Sequence, residues 1–184
     1  MIVQIFNKDI LKLLTIFSLS PGSRFLRDDL KKKTQMNNVL LDNALSILIN
    51  SSIIYKNKRL LQLNLDENVK KIINLVSSEY KNLKEIPLSA YFSILELVYH
   101  LSKYKNLQVY LFGSYSKLIF SEKSDIDIAI ISDLIDKKIV NNTIRKTEKI
   151  YKKKIEIHYF SKNFENNKKD PLVREILKNG VKLL

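Results

Sequence analysis

The chain has 184 residues, 45% of them apolar and 28% charged, which is typical of a soluble globular protein with one good core or two small ones. It contains no cysteine and only two histidines, so disulfide bonds and thiolate metal sites are excluded and a metal ion would be held mainly by oxygen. The net charge of +13 favours polyanionic partners, namely nucleic acid, nucleotide phosphates or an acidic protein, unless it reflects only a compositional bias toward lysine.

Neither a membrane segment nor a concentrated block of charge interrupts the chain. No apolar run approaches the roughly 18 residues needed to cross a bilayer, and the opening residues MIVQIFNKDI lack a basic segment followed by a long apolar one. We therefore expect a cytoplasmic protein. The positive charge is spread, with ten Lys and Arg against four Asp and Glu in residues 1–65 and 22 against 15 in the remainder.

Residues 1–65 have the pattern of three helices followed by a hairpin. Helices are predicted over KDILKLLTIFSL, RFLRDDLKKKT and QMNNVLLDNALSILINSS, and IIYKNKRLLQLN predicts two short strands about a Lys-Asn-Lys turn. In this order of elements the region resembles a winged helix-turn-helix domain. The apolar residues expected to face inward from the third helix are Val39, Leu40, Ala44, Ile47 and Leu48.

The third helix has the amides but not the cations of a DNA-recognition helix. Asparagine can read adenine, whereas phosphate contacts would have to come from lysines before the helix and from cations in the hairpin. The pattern leaves two roles open for residues 1–65: DNA binding, and protein docking or dimerisation. The DNA-binding candidates are Lys31, Lys32, Lys33, Asn37, Asn38, Lys56, Lys58 and Arg59.

The pattern changes after residue 65. Residues 66–87 predict an amphipathic connecting helix that Pro87 ends, and 88–105 predict another helix. Beyond 107, strands over LQVYLF, DIDIAII and KIEIHYF alternate with helices, one of them from Ser114 to about Phe120, others over 136–152 and near 171–178. This alternation predicts an α+β or α/β second domain over 88–184.

The segment LFGSYSKLIFSEKSDIDIAI carries the clearest chemical signal. A glycine that closes a strand permits a sharp turn and close approach of a ligand to the backbone, and a helix beginning at Ser114 would turn free amides toward a phosphate. Ser114 can add a hydroxyl and Lys117 a full charge. The segment therefore predicts a phosphate site at Gly113, Ser114 and Lys117.

Asp125 and Asp127 stand two residues apart at the start of a predicted strand, so their side chains share one face. With no Lys or Arg inside that run, a divalent cation is the expected counter-ion, and oxygen ligands favour magnesium. Glu156 is the candidate third acid on a neighbouring strand. The alternative for Glu156 is an ordinary acid balanced by Lys152–Lys154. His158 lies on the same face, and a structural role is expected for this lone histidine.

Gly113-Ser114, ten residues, and then Asp125-Ile126-Asp127 resemble the signature of the polymerase-β nucleotidyltransferase superfamily, and in particular its minimal nucleotidyltransferases. The resemblance covers about residues 88–184, including the tail DPLVREILKNGVKLL, and implies a domain with a small mixed sheet and flanking helices. It implies Ser114 on the triphosphate, Asp125 and Asp127 on two magnesium ions, and Glu156 as third ligand or base. Family members commonly have Arg-Gly at the position of Lys117-Leu118, and leucine there is expected to lengthen the local helix.

The resemblance also implies a reaction, the transfer of a nucleoside monophosphate, expected to be AMP from ATP, to an acceptor hydroxyl. Minimal nucleotidyltransferases often act as antitoxins on a tyrosine of a HEPN-type toxin, so such a partner in trans is one expectation, and a homodimer is another. A DNA-binding regulator with a nucleotide-sensing or inactive nucleotidyltransferase domain is the alternative, and an enzyme acting on nucleic-acid ends is a third possibility.

Overall fold

The computed structural model describes residues 7–83 and 86–184, which fold as two compact units. The first unit comprises the described residues up to Asn82, and the second comprises Leu83–Leu184. Within these ranges no helix is both long enough and apolar enough to cross a membrane.

The first unit contains four helices and a three-stranded antiparallel sheet among its described residues. The sheet has the strand order β1-β3-β2, in which β2 and β3 form the predicted hairpin and β1 is an additional short strand that the sequence did not indicate. The elements are α1 Lys8–Leu19, β1 Phe25–Leu26, α2 Arg27–Thr34, α3 Asn38–Asn50, β2 Ile54–Asn57, β3 Leu60–Leu63 and α4 Glu67–Asn82.

Helix α3 turns a different face inward from the one predicted. Its buried stripe is Leu41, Ala44, Leu45 and Leu48, the i, i+3, i+4, i+7 spacing of a single helix face. The predicted inward positions Val39, Leu40 and Ile47 are instead 68, 38 and 50% exposed, so that expectation was wrong for these three residues. The reason is that Leu41 and Leu45 complete a tighter apolar stripe, which leaves an exposed face of mixed apolar and amide character.

The helix predicted as a connector over 66–87 is shorter than expected and lies in the first unit. It runs from Glu67 to Asn82 and packs along α1, burying Val69, Ile73, Val76 and Tyr80. Pro87 does not end it, because the helix stops five residues earlier. Pro87 instead occupies the N-cap of the next helix, where its missing N–H costs no helical hydrogen bond.

The second unit combines strands and helices, as their alternation predicted, and is built on a four-stranded mixed sheet. The strand order is β6-β5-β4-β7, with β5 parallel to β6 and β4 antiparallel to both β5 and β7. The elements are α5 Leu88–Leu101, β4 Gln108–Phe112, α6 Gly113–Lys117, β5 Ile126–Ile131, α7 Lys137–Tyr151, β6 Ile155–Phe160, a 3-10 turn Phe164–Asn166, α8 Pro171–Asn179 and β7 Val181–Lys182.

One face of this sheet carries both an apolar cluster and the polar residues of interest. Side chains two apart in a strand share a face, so Asp127 lies on the side of Ala129 and Ile131, opposite Ile128 and Ile130. Ala129 and Ile131 pack with Phe112 of β4 and with Val173 and Ile176 of α8. Asp127 therefore stands at the start of β5, where the apolar packing under α8 gives way to more accessible surface.

Helix α6 is shorter than predicted. It ends at Lys117, and Leu118 adopts the left-handed conformation with φ +60° rather than extending the helix to Phe120. The Leu118 amide donates to Tyr115 O and the Ile119 amide to Ser114 O, the two hydrogen bonds that close a helix in a Schellman motif. The expectation that Leu118 lengthens the helix is therefore wrong, because leucine takes the left-handed cap conformation that glycine usually supplies.

Candidate active site

Gly113 brings the main chain between β4 and α6 directly against the Asp127 side chain. Its φ of +70° lies in the left-handed region, and a Cβ atom there would overlap the Asp127 carboxylate and lie 2.8 Å from Asp127 Cγ. The strand register explains the proximity, since Phe112, just before the glycine, pairs with Asp127. Glycine is required here for two reasons, backbone conformation and space for a carboxylate.

Three potential ligand side chains meet beside this turn, and we call them the acid–imidazole cluster: Asp127, Glu156 and His158. Asp127 and Glu156 are register partners on the parallel strands β5 and β6, and His158 follows Glu156 by two residues. One ligand atom from each lies within 4.8 Å of the others. The His158 ring also packs edge-on against Phe112, with ring centroids 5.2 Å apart, and this packing fixes the position of the imidazole.

The cluster is electrostatically poised for a cation. Burial raises the pKa of Asp127, the negative charge of Glu156 raises it further, and His158 opposes the shift while Asp125 and Glu175 add smaller increases. His158 Nε2 lies 3.5 Å from Glu156 Oε1, so the imidazole offsets part of the repulsion. Two carboxylates and an imidazole at this separation are a suitable donor set for a divalent metal ion.

Asp125 lies outside the acid–imidazole cluster and has a protein counter-ion. Its Oδ2 accepts a hydrogen bond of 2.5 Å from Lys154 Nζ, and this contact raises the pKa of Lys154. Asp125 therefore has a counter-ion within the protein that the run around it did not indicate, because Lys154 comes from the chain segment just before β6. Glu156 also contributes to the raised pKa of Lys154, less than Asp125 does.

The predicted phosphate residues lie at and just after the glycine turn. Ser114 is half-buried in the first turn of α6, and Lys117 is exposed in its last turn. Lys117 Nζ forms an ion pair of 2.8 Å with Glu175 Oε1 of α8, so its charge is already compensated. Tyr115 between them is 1% exposed and stacks on Phe120 with ring centroids 4.6 Å apart, which gives it a packing role.

The DNA-binding candidates all lie in the first unit, but the two asparagines are already engaged. Asn37 caps α3 by accepting a hydrogen bond from the Leu40 amide, and Asn38 accepts one from Arg27. The lysines and arginine are exposed or half-buried, and two of them line a groove of about 610 Å³ beside α3. The candidate cations are Lys31, Lys32, Lys33, Lys56, Lys58 and Arg59, of which Lys56 and Arg59 line the groove.

Comparison with known families supports the character of the second unit. The family model described as "Polymerase beta, Nucleotidyltransferase" matches residues 96–184, a span that contains Gly113, Asp125 and the whole acid–imidazole cluster. This match supports placing that part of the chain in the polymerase-β superfamily and supports a transferase of the nucleotidyltransferase type. No curated protein and no solved structure gave a match.

Sequence reasoning placed Asp127 and Glu156 on neighbouring strands but assigned His158 a background role. The alternation of β6 already puts His158 on the face of Glu156, which was the available signal. What the sequence could not supply is the register of β6 against β5, which sets Glu156 opposite Asp127 and His158 opposite Ala129. Because Ala129 has a small side chain, His158 meets little obstruction from that neighbour.

Proposed function

We propose that the second unit is a metal-dependent nucleotidyltransferase that moves a nucleoside monophosphate, AMP being the expected group, from a nucleoside triphosphate to an acceptor hydroxyl. The observation that carries the proposal is the acid–imidazole cluster held against the Gly113 turn, within the span that matches the family model. In this reaction the acceptor oxygen bonds to the α-phosphorus. The bond between the α-phosphorus and the oxygen that bridges it to the β-phosphate breaks, and pyrophosphate leaves.

Metal binding is proposed for the predicted carboxylates, with magnesium as the expected ion and two ions expected. Asp127 and Glu156 fit this role by position, whereas Asp125 lies outside the acid–imidazole cluster and its Oδ2 is paired with Lys154. A bound divalent cation neutralises phosphate charge and increases the acidity of the acceptor hydroxyl. Glu156 is the more exposed carboxylate of the cluster, which suits it to accept the acceptor proton.

Phosphate contacts are proposed for the glycine turn. The Gly113 backbone admits close approach, and the Ser114 hydroxyl can donate to a phosphate oxygen. Lys117 contributes a full charge if it exchanges Glu175 for the triphosphate. Such an exchange costs little because both partners are partly exposed and surface ion pairs are weak.

The acceptor is proposed from the resemblance to minimal nucleotidyltransferases: a tyrosine of a HEPN-type toxin in trans. A nucleic-acid end is the competing acceptor, because both present a hydroxyl and the chain carries a net charge of +13. Incubation with each acceptor and α-labelled ATP distinguishes them by which molecule retains the label.

The test of the function is transfer of label from α-labelled ATP with magnesium present. Asp127→Asn should abolish transfer, because it keeps the shape of the side chain and removes the charge that holds a cation. Asp133→Asn is the control, since Asp133 is an exposed aspartate just after β5 that pairs with Lys162 outside the cluster. Equal transfer by both variants would refute the assignment of the site.

A second function, DNA binding by the first unit, is supported by the order α1-β1-α2-α3-β2-β3, which we propose to be a winged helix-turn-helix. The exposed cations of the β2–β3 hairpin, Lys56, Lys58 and Arg59, favour contact with a polyanion. Under this proposal the chain as a whole is a regulator whose second unit senses nucleotide. The exposed face of α3, which carries Asp42 and no lysine or arginine, favours the other role left open, protein docking or dimerisation.

Salt dependence separates these two roles of the first unit. Binding of a mixed-sequence duplex should weaken with salt, with a log–log slope of about −0.9 for each phosphate contacted, and alanine at Lys56, Lys58 and Arg59 should reduce that slope by up to about 3. A flat response would assign the first unit to protein docking. The charge-matched control carries alanine at three exposed lysines of the second unit, Lys105, Lys123 and Lys146.

A further inference from the structure

His158 distinguishes this cluster from a site made of carboxylates alone. It supplies an aromatic nitrogen within 4.8 Å of ligand oxygens from Asp127 and Glu156. The other aspartate of the Asp-x-Asp pair, Asp125, is held by Lys154 outside the cluster. The three groups placed together are thus two carboxylates and one imidazole.

We infer that His158 is a metal ligand and that it makes the site prefer manganese(II), or another divalent first-row transition ion, over magnesium. The inference rests on the proposed function, because it takes the acid–imidazole cluster to be the metal site of that function. Magnesium strongly favours oxygen ligands, whereas first-row transition ions accept imidazole nitrogen readily. Replacing one carboxylate by an imidazole therefore shifts the ion preference of the site away from magnesium and toward first-row transition ions.

The surroundings of His158 support a ligand role. Its ring is packed edge-on against Phe112, which is 3% exposed, so the ring plane is held by a rigid part of the core. Its Nε2 faces the carboxylate side, 3.5 Å from Glu156 Oε1, a separation longer than a good hydrogen bond. The imidazole therefore lies near both carboxylates without a short hydrogen bond to either of them.

The opposite ion preference would follow if Asp125 replaced His158 in the donor set. Three carboxylates would then hold the ion, and all-oxygen ligation would favour magnesium. Asp125 already has a short contact with a cation, Lys154 Nζ on its Oδ2, whereas His158 Nε2 has only the longer, 3.5 Å approach to Glu156 Oε1. The geometry therefore favours the set that includes nitrogen.

The test is pulsed electron paramagnetic resonance of the full-length protein loaded with manganese(II) alone. We expect nitrogen-14 modulation from a directly bound imidazole, and its replacement by the nitrogen-15 pattern when the histidines are labelled with nitrogen-15. His158→Gln should remove the modulation and weaken manganese affinity by about tenfold or more, at least the loss of affinity seen when an outer-shell partner of a metal ligand is mutated. His100→Gln is the control, because it alters the other histidine, which lies on α5 outside the cluster.

Magnesium competition gives the second measurement. In the wild type, displacement of manganese should require a large excess of magnesium, and in His158→Gln the excess should fall by about the same factor as the manganese affinity. Absence of nitrogen modulation in the wild type, a result that needs no variant, would overturn the inference. An equal loss of affinity for manganese and magnesium in His158→Gln would also overturn it. Nitrogen modulation without nucleotide transfer would overturn the proposed function alone, whereas transfer supported by magnesium without nitrogen modulation would overturn this inference alone.

Discussion

Replacing Gly113 by alanine tests whether the glycine turn positions Asp127. The new Cβ meets two separate penalties in this structure. A residue other than glycine at φ +70° costs about 1–2 kcal/mol in backbone energy. Relieving the overlap with the Asp127 carboxylate requires a displaced side chain or backbone, at about 1–3 kcal/mol. The expected loss of stability in the second unit is therefore about 2–5 kcal/mol.

A double-mutant cycle separates these penalties. In an Asp127→Ala background the carboxylate is gone, so Gly113→Ala should cost only the backbone share of about 1–2 kcal/mol. Gly22→Ala is the control, because a Cβ at Gly22 meets no atom within 4 Å, and it should change stability by no more than about 0.5 kcal/mol.

Hydrogen exchange of amides in β4 and β5 reports on the second unit alone and is the assay for the cycle, whereas urea denaturation measures the Gly22→Ala control in the first unit. Manganese affinity, measured on the same samples, should fall in Gly113→Ala because the displaced carboxylate leaves the cluster. Equal costs of Gly113→Ala in the two backgrounds, or unchanged manganese affinity, would show that the glycine does not hold Asp127 in place.

Three further perturbations address the charges of the site. The pKa of Asp127 is raised in the folded state, so its contribution to stability is full below the unfolded pKa and is lost as the pH rises through the folded pKa. In the presence of a chelator, Asp127→Asn should therefore raise the free energy of unfolding at neutral pH and lose that advantage in acid. Urea denaturation measures both effects. Lys154→Gln should tighten manganese binding by about fivefold, equivalent to about 1 kcal/mol of charge repulsion, and titration would contradict this if affinity fell. Glu156→Gln should leave ATP binding nearly intact and slow transfer by about 10²-fold or more, and unchanged single-turnover rates would exclude Glu156 as the base.

The sequence predicted those parts of the second unit that depend on short-range pattern. Strand alternation placed Asp127 opposite the buried Ile128, and a glycine at a strand end indicated a sharp turn. It failed where the outcome depended on partners remote in the chain. Lys154 lies 29 residues from Asp125, and only the pairing of β5 with β6 brings them together. The same pairing sets the distance from His158 to Asp127.

The errors in the helices have local physical causes. Several registers of an apolar-rich helix such as α3 give a plausible stripe, and the choice among them is made by packing with the rest of the core rather than by periodicity. At Leu118 the competing influence was the hydrogen-bonded helix end, which outweighed the preference of leucine for right-handed backbone. Both cases show tertiary or capping contacts overriding intrinsic propensity.

The distribution of counter-charges identifies where a cation gains most. Asp125 has Lys154 and Glu175 has Lys117, each at ion-pair distance, whereas Asp127 has no ion-pair partner within residues 7–83 and 86–184. Asp127 is also the carboxylate that burial and its neighbours make hardest to ionise. A divalent cation relieves both costs at once, so the greatest gain in binding lies at Asp127. Both lysines are exposed, so under the proposed function they can exchange their carboxylates for phosphate, which would join the proposed metal site and the glycine turn into one binding surface.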